Sequence, residues 1–338
     1  MPSLFLTSPG TKASLVSERL RIEWPAPEPG EAALPARDIP LHDLERVIVE
    51  ERAHLTTPAL CELLRRNIPT LFVAWQGGRI LGAAQPPAGG GPARIAHYER
   101  TRDPAFVLAV ASTLVEAKIA NSRRVLQRLA SNRETADCTA ALASMESARR
   151  DSLSAESLDS LRGYEGTAAG RYFEAYATFF PPQSPFERRS RRPPLNAPNA
   201  ILSFAYTLLG GEAECLLHSA GLDPALGFLH ETTDNRPSLA LDLIEPFRAP
   251  IADALALDLL GHSILDPREH FEHRDGGVFL NPAGRRKFYL AYERRLEREF
   301  TSEQLGHRTS LRGELLRQAH SLKRAILAGE AFEPFLMN

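Results

Sequence analysis

The chain changes character at Gln85-Pro86-Pro87-Ala88-Gly89-Gly90-Gly91-Pro92. This stretch has almost no side chain to bury and no single preferred backbone geometry, so it predicts a linker, which we place at 86–93. Before it, apolar residues alternate in short runs, whereas after it they recur every three or four positions. The two periods predict an α+β protein, with a small β-rich domain at 1–85 followed by a larger, predominantly α-helical domain at 94–338.

The β-rich part is predicted to contain short strands and one helix. Thr57 suits the N-cap of that helix and Pro58 its first position, because proline lacks the N–H that would be unsatisfied there. Gly77-Gly78 predicts a two-residue hairpin turn. The predicted strands are 4–6, 14–24, 44–49, 70–74 and 79–83.

The remainder is predicted to be mostly helical. Apolar residues follow the helical period from Phe106 to Leu129, and similar spacing recurs six more times. The further helices are expected around 136–149, 168–179, 199–219, 250–262, 282–300 and 311–327. No internal repeat is visible.

The composition is that of a globular chain: 338 residues, 43% hydrophobic and 24% charged. Basic and acidic residues nearly balance, 40 against 42, so any nucleic-acid surface must be local. All but four of the basic residues are arginines, which suit phosphate and carboxylate, although a GC-rich genome explains the same bias.

Cysteine content and hydropathy predict a cytoplasmic protein without a membrane span. Cys61, Cys138 and Cys215 are odd in number and form no CxxC pair, which favours a reducing compartment. The first twelve residues lack a signal-peptide pattern, and the most apolar stretches, 106–115 and 201–209, are too short to cross a bilayer.

Two segments carry an isolated acid or histidine with unusual neighbours. Glu165 is bracketed by Gly163 and Gly166, and such small neighbours let a ligand approach closely. The alternative is that Glu165 only complements the positive end of a following helix. His230 follows an apolar run, and the alternative for it is a hydrogen-bonded structural histidine.

Asp242 and Glu245 interrupt a leucine-rich stretch that would otherwise be buried. Three positions apart, they share a face if the stretch is helical, and two carboxylates in a core need a counter-charge. A donor set of Glu165, His230, Glu245 and Asp242, without a thiolate, suits Mg²⁺ or Mn²⁺ better than structural zinc. Arg236 and Arg248 are the alternative, as ion-pair partners.

Arginines are densest just before a pair of prolines. Four of the five positions from 188 to 192 are arginine. Their positive charges repel one another unless an anion is bound, which favours an anion site. The alternative is a solvated loop. Together with the carboxylates, this cluster points to metal-assisted phosphodiester chemistry on DNA. The predicted DNA-binding residues are Arg188, Arg189, Arg191, Arg192, Lys118, Arg124, Arg248 and Lys287.

Several ordered motifs resemble the CRISPR-associated integrase family, which inserts new spacers into a CRISPR array in antiviral defence. They are Gly163-Tyr164-Glu165-Gly166, Arg191-Arg192-Pro193-Pro194, Gly227-Phe228-Leu229-His230 and Ser238-Leu239-Ala240-Leu241-Asp242-Leu243-Ile244-Glu245-Pro246-Phe247-Arg248. Val115-Glu116-Ala117-Lys118 resembles the family's first long helix. The chain departs at Asn196, where the family often has aspartate, and at Ala249, where it often has proline.

The resemblance implies a metal site, partners and a reaction. The family's metal ligands fall on Glu165, His230 and Glu245, with Asp242 as the neighbouring acid. The β-rich domain is implied to build a homodimer, and a small ferredoxin-like companion nuclease is implied as a partner. The implied substrates are double-stranded DNA with 3′-hydroxyl ends and CRISPR repeat DNA.

The sequence leaves three other functions open. A structure-selective repair nuclease would use the same metal site but would not join strands. A catalytically silent DNA-binding scaffold would pair its acids only with arginines. A hydrolase of small phosphoesters would not need basic clusters in so many segments.

Overall fold

The computed structural model describes residues 3–25, 33–75, 79–86, 89–132 and 137–338. Strands dominate the first part and helices the rest, which confirms the predicted α+β class. The domain limits stay a prediction, and a helix begins at Gly91, inside the predicted linker. Pro87 and Ala88 of that linker and the Gly77-Gly78 turn lie outside the described residues.

The N-terminal part forms two four-stranded sheets. In the first, of order β1-β5-β7-β8, three strands are parallel and β8 is antiparallel to β7. The second has the order β4-β3-β2-β6. The elements are β1 Ser3–Leu6, β2 Lys12–Val16, β3 Arg19–Glu23, β4 Arg37–Pro40, β5 Arg46–Glu50, β6 His54–Leu55, α1 Thr57–Arg65, β7 Thr70–Val73 and β8 Ile80–Ala84.

The strand predicted over 14–24 is wrong as a single element, because the chain reverses within it. Ser17 has a φ of 54°, and the turn there pairs β2 antiparallel to β3. Leu15 lies opposite Leu20 in this hairpin, so the apolar alternation shifts by one position at the turn, a break that the sequence reasoning overlooked. The sequence reasoning also missed β4 and β6, and it placed the start of α1 one residue late, since Thr56 is the N-cap.

The first sheet lies between two hydrophobic cores. Val47 and Val49 of β5 point into a small core within the N-terminal part, whereas Ile48 joins the large core of the helices. This alternation follows from the two-residue period of a strand, and both faces of the sheet are therefore covered.

Helices build the remainder, with two short hairpins. The elements are α2 Gly91–Arg100, α3 Pro104–Ser131, α4 Thr139–Leu153, α5 Leu158–Ala177, α6 Ala197–Ala220, α7 Ser238–Ile244, α8 Ala254–Gly261, β9 Phe271–Arg274, β10 Gly277–Leu280, α9 Pro282–Glu297, β11 Glu299–Thr301, β12 Arg308–Ser310 and α10 Leu311–Ala328. A 3₁₀ turn, Glu245–Phe247, and a π-helical segment, Arg248–Asp253, connect α7 to α8.

Most predicted helices are present, and the differences have local causes. Helix α5 begins ten residues before the predicted start because a capping box between Ser157 and Ser160 nucleates it, and the glycines inside it hide the apolar period. Helix α2 and both hairpins were not predicted.

Two helices are long and apolar enough to cross a membrane by length and composition alone. They are α3 and α6, and 44% and 72% of their most apolar windows are buried inside the protein. Central helices of a globular core pass the same test, so this is weak support for a span.

A buried ion pair connects the first sheet to the helices and predicts a pH-dependent stability. Glu50, at the end of β5, is 1% exposed and lies 3.1 Å from Nε of Arg285 on α9. Burial raises the pKa of Glu50 to about 7, against the charge of Arg285. Because the folded pKa is raised, the contribution of Glu50 to stability is greatest below pH 4.5 and is lost as the pH rises to about 7, by about 3 kcal/mol in all.

We expect Glu50→Gln to remove most of this pH dependence. The measurement is the free energy of unfolding in urea between pH 5 and pH 8 for wild type, Glu50→Gln and the exposed neighbour variant Glu51→Gln. Equal slopes against pH in wild type and Glu50→Gln would contradict the assignment.

Candidate active site

A cavity of about 300 Å³ lies between α3, α5, α6 and the turn after α7. It brings together three residues that the sequence predicted to act jointly, Glu165, His230 and Glu245. The other charged or aromatic residues that line it are Lys118, Arg162, Tyr172, Phe173, Arg189, Arg191, Tyr206, Arg248 and Asp253.

Glu165 lies near the middle of α5, about two turns beyond its first residue, Leu158. The interpretation of Glu165 as a partner of a helix N-terminus is therefore wrong, because that interaction is confined to the first turn. A Cβ added at Gly163 or Gly166 would meet nothing within 4 Å. The helix surface beside Glu165 is thus open, as the glycine pattern predicted.

His230 is held by Asp242. The Nδ1 atom of His230 lies 2.6 Å from Oδ1 of Asp242, and since a carboxylate only accepts, Nδ1 carries the proton. The Nε2 atom is left with its lone pair available in the neutral ring. A carboxylate behind a histidine in this way is typical of metal-binding histidines.

Asp242 is fully buried and fixes the whole loop before it. Its two oxygens accept hydrogen bonds from the backbone N–H groups of Phe228, Leu229 and His230, at 2.6, 3.0 and 3.0 Å. Gly227 is required here, because a Cβ would lie 2.7 Å from the carbonyl oxygen of His230 and 2.9 Å from Oδ2 of Asp242. Asp242 is absent from the cavity lining and acts through His230.

Glu245 begins the 3₁₀ turn where α7 ends, and it is 3% exposed. Nε of Arg248 lies 3.0 Å from Oε1, Nζ of Lys118 lies 2.6 Å from Oε2, and Nε2 of His230 lies 3.7 Å from Oε1. Burial would raise the pKa of Glu245, but the charges of Arg248 and Lys118 outweigh it and lower the pKa to about 2. Glu245 is therefore ionised at neutral pH.

Lys118, on α3, reaches both carboxylates. Its Nζ lies 2.5 Å from Oε1 of Glu165 and 2.6 Å from Oε2 of Glu245. Burial would lower the pKa of Lys118, but the two carboxylates outweigh burial and raise it. The ammonium is thus a cation placed where two acids meet beside His230.

The described residues contain no ready-made cluster of three or more His, Cys, Asp or Glu side chains at metal-binding distances. What they contain is two carboxylates that share one cation, with the free nitrogen of His230 facing one of them. Oxygen and imidazole donors without thiolate match Mg²⁺ and Mn²⁺ chemistry. The residues therefore fit a hard divalent cation if the ammonium moves aside.

One side of the cavity is a buried polar cluster on α6 and the π-helical segment. Tyr206 donates to Asp253, and its ring lies between the guanidinium groups of Arg248 and Arg189, at 4.7 and 5.3 Å from its centroid. Burial raises the pKa of Asp253 to about 6, against the hydrogen bond from Tyr206. The cluster holds Arg248 against Glu245.

The sequence reasoning missed Tyr206, Tyr172 and Asp253. For Asp253 a signal was present, an acid within an apolar run, which is the signal that identified Asp242. The tyrosines gave none, because an aromatic residue on an apolar helix is normally a core residue.

A larger cavity of about 1910 Å³ shares Arg189, Arg191, Tyr206, His230 and Arg248 with the first and so opens the site to a groove. Seven arginines line it, against three acidic residues. The arginines are Arg79, Arg189, Arg191, Arg192, Arg236, Arg248 and Arg285, and the acids are Glu214, Asp223 and Asp234.

The structure separates the predicted basic residues into those in the groove and those elsewhere. Arg191 and Arg192 are exposed in the groove. Arg189 also lines it, but its guanidinium donates to Asn199 and Ser203 and is partly buried, so it supports the loop. Three of the predicted DNA-binding residues line neither cavity, namely Arg188, Arg124 and Lys287.

Two of the predicted DNA-binding residues form hydrogen bonds within the protein. Nε of Arg124 donates to the carbonyl oxygen of Asn338 at 2.5 Å, and Nζ of Lys287 donates to that of Ile264 at 3.1 Å. Arg248 is the ion-pair partner of Glu245 that the alternative interpretation anticipated, whereas Arg236 lines the groove.

The chain matches a known family and its curated members. The family described as CRISPR associated protein Cas1 matches residues 4–294. A CRISPR-associated exonuclease Cas4/endonuclease Cas1 fusion of Rhodospirillum rubrum is 38% identical, over 86% of this chain and 51% of the fusion, so the chain spans about half of that relative. A CRISPR-associated endonuclease Cas1 of Thermus thermophilus is 35% identical over 99% of both chains.

Solved structures share the fold. A casposase bound to integration product has a TM-score of 0.86 at 24% identity, over 98% of this chain and 92% of that one. A Cas6-RT-Cas1–Cas2 complex has a TM-score of 0.79 at 23% identity, over 100% of this chain and 36% of that one. With the family match over residues 4–294 and a relative aligned over 99% of the chain, the protein belongs to the Cas1 family of CRISPR-associated endonucleases, as its sequence motifs predicted.

Proposed function

We propose that this protein is a metal-dependent DNA endonuclease and integrase that inserts spacers into a CRISPR array, by attack of a DNA 3′-hydroxyl on a phosphodiester. The observation that carries the proposal is that Glu165 and Glu245 share one cation while Nε2 of His230 lies 3.7 Å from the other oxygen of Glu245, in a cavity that opens to an arginine-lined groove. The Cas1 membership and the casposase fold support it.

The cofactor of this proposal is Mg²⁺ or Mn²⁺, held by Glu165, His230 and Glu245. When bound, a divalent cation there would supply Lewis acidity, which makes a hydroxyl a better nucleophile and neutralises charge on the phosphate oxygens. With a water molecule in place of the hydroxyl, the same residues would serve hydrolysis, so one site accounts for nuclease and integrase activities.

The protein's own residues prepare the site. Asp242 fixes the tautomer and direction of His230, and Arg248 with Lys118 keeps Glu245 ionised. Arg191 lines both cavities, so its guanidinium can hold the DNA backbone next to the carboxylates. In this proposal these contacts orient a phosphodiester beside the carboxylates.

The groove predicts DNA binding that depends strongly on salt. Arg189, Arg248 and Arg285 are engaged within the protein, which leaves four groove arginines for phosphates. If about four phosphates are neutralised, affinity falls roughly 10²-fold between about 50 and 200 mM salt. Arg191→Ala and Arg192→Ala are each expected to weaken binding and to lower the salt slope by about one. Fluorescence anisotropy with a labelled duplex measures both quantities.

The matched control for the groove is Arg171→Ala. Arg171 is exposed on α5, pairs with Glu174 at 3.0 Å and is absent from both cavity linings. Its removal should leave affinity and slope unchanged. DNA binding that is insensitive to salt, or that Arg171→Ala weakens as much as the groove variants do, would contradict the assignment of the groove as the DNA-binding surface.

The proposed assembly is a homodimer, built by the β-rich domain, that works with a small ferredoxin-like companion nuclease on double-stranded DNA. Relatives fused to a Cas4 exonuclease and a solved complex that contains Cas1 and Cas2 support CRISPR-associated partners. The dimer follows from the family resemblance, and sedimentation of the purified protein tests it.

Strand transfer tests the reaction itself. Wild-type protein with Mn²⁺, a 3′-hydroxyl duplex and a plasmid carrying a repeat should give joined products, and a duplex ending in a 3′-deoxynucleotide should give none. Plasmid cleavage that is the same with both duplexes and never yields joined products would favour the repair nuclease. Absence of any metal-dependent reaction would favour the scaffold.

A further inference from the structure

Lys118 holds a position that the proposed metal also needs. Its ammonium lies 2.5 Å from Glu165 and 2.6 Å from Glu245, and its side chain is 19% exposed. These are the distances of short charge-assisted hydrogen bonds. A divalent cation bound to the same two oxygens would lie within a few ångströms of the ammonium, so the two cations exclude each other.

Without metal, the negative charges of the two carboxylates are still compensated by nearby cations, and Lys118 provides much of this compensation. Glu245 has Arg248 as a second cation on its other oxygen, 3.0 Å away, whereas Glu165 has the ammonium of Lys118 as its contact in the cavity. Without Lys118, the two carboxylates would face each other across a partly buried space, which is unfavourable for both.

Lys118 is also able to leave. A lysine carries a point charge on a flexible four-carbon stem, unlike the rigid fork of arginine. The cavity of about 300 Å³ beside it gives the ammonium space to move, and the arginines that line the cavity mark that space as one suited to an anion.

Resting on the proposed function, we infer that Lys118 is a built-in counter-cation that occupies the metal position and is displaced when the metal binds. The displaced ammonium turns into the cavity, where a DNA phosphate is its new partner. Metal loading is thereby coupled to DNA: Lys118 opposes the metal in the free protein and stabilises the phosphate once the metal is bound.

The test is Mn²⁺ affinity without DNA, measured by titration with detection of free Mn²⁺ by electron paramagnetic resonance. Lys118→Met, which keeps the stem and removes the charge, is expected to bind Mn²⁺ at least tenfold more tightly than wild type. Its melting temperature should be lower than that of wild type without metal and should rise more on Mn²⁺ addition. Lys118→Gln should behave like Lys118→Met, and it provides a second uncharged variant if the first does not fold without metal.

Two control variants test whether tighter Mn²⁺ binding comes from removing the positive charge at position 118. Lys118→Arg retains a cation at the carboxylates and should bind Mn²⁺ no more tightly than wild type. Lys12→Met removes an exposed lysine whose ammonium lies 3.9 Å from Glu23, and it should match wild type.

The outcomes distinguish this inference from the proposed function. Unchanged or weaker Mn²⁺ binding in both Lys118→Met and Lys118→Gln would overturn the inference while leaving strand transfer by wild type untouched. Tighter Mn²⁺ binding by these variants, in a protein that performs no strand transfer, would support the inference and count against the integrase. No Mn²⁺ binding by wild type or by either uncharged variant would overturn the inference.

Discussion

Replacing His230 with alanine is expected to abolish strand transfer and DNA cleavage together, with a loss of at least about 10³-fold in rate. His230 supplies the only imidazole nitrogen in the lining of the 300 Å³ cavity, among the residues the structure describes, and Asp242 directs that nitrogen toward Glu245. An alanine removes a proposed metal donor and leaves Asp242 without its side-chain partner. In the proposed mechanism both reactions depend on the same site, so both should fall in parallel.

The measurement compares strand-transfer and cleavage rates in Mn²⁺ for wild type, His230→Ala and His218→Ala. His218, on α6, lines the larger groove but not the smaller cavity, so it controls for the loss of a groove histidine. The His230 side chain is 23% exposed, and circular dichroism should show an intact fold. A His230→Ala protein that joins strands at the wild-type rate would refute the site assignment.

The acids of the site could be predicted from sequence because burial makes them conspicuous. Asp242 and Glu245 stand in a run of apolar residues, and the structure buries both almost completely. A buried charge needs a partner, so their presence predicted a cation without any knowledge of the fold. The glycines beside Glu165, which the structure places next to open space, made it a candidate, but its assignment as a metal ligand came from the family resemblance.

The cation that meets these acids could not be predicted from the same pattern. Lys118 lies 47 residues before Glu165 on another helix, and only the packing of α3 against α5 brings them together. Sequence reasoning assigned Lys118 to DNA binding, since a lone lysine on a helix carries no mark of its partner. Arg189 was also assigned to DNA, although its guanidinium donates to Asn199 and Ser203.

For the fold as well, features that are local in sequence could be predicted and long-range contacts could not. Long helices with a clear apolar period were predicted within a few residues, as in α3 and α6. The hairpin of β2 and β3 was not, because its turn is Ser17-Glu18, which lacks the glycine or asparagine that marks most two-residue hairpin turns. Long-range pairing, such as that of β1 with β5, leaves no local trace in the sequence.

Asp242→Asn is the second substitution with a large expected effect, on both activity and stability. The carboxylate accepts three backbone N–H groups and Nδ1–H of His230, whereas an asparagine offers one oxygen and turns an NH₂ group toward donors. Leaving buried donors unsatisfied costs roughly 2 to 4 kcal/mol in unfolding free energy. The freed imidazole also loses its fixed tautomer, so strand transfer should fall by about 10- to 100-fold.

Comparing the loss of Mn²⁺ affinity with the loss of stability in Asp242→Asn shows whether Asp242 positions His230 or only stabilises the loop. Mn²⁺ affinity should weaken about as much as the strand-transfer rate, because His230 can no longer present Nε2 reliably. Asp258→Asn, at a half-exposed acid that pairs with Arg295, should lose little stability and no Mn²⁺ affinity. If Asp242→Asn lowered the urea midpoint but bound Mn²⁺ as tightly as wild type, Asp242 would only hold the loop, and His230 would direct itself. If Mn²⁺ affinity fell for Asp242→Asn while Asp258→Asn kept the wild-type affinity, the buried carboxylate of Asp242 would be what makes the partly buried His230 a metal ligand.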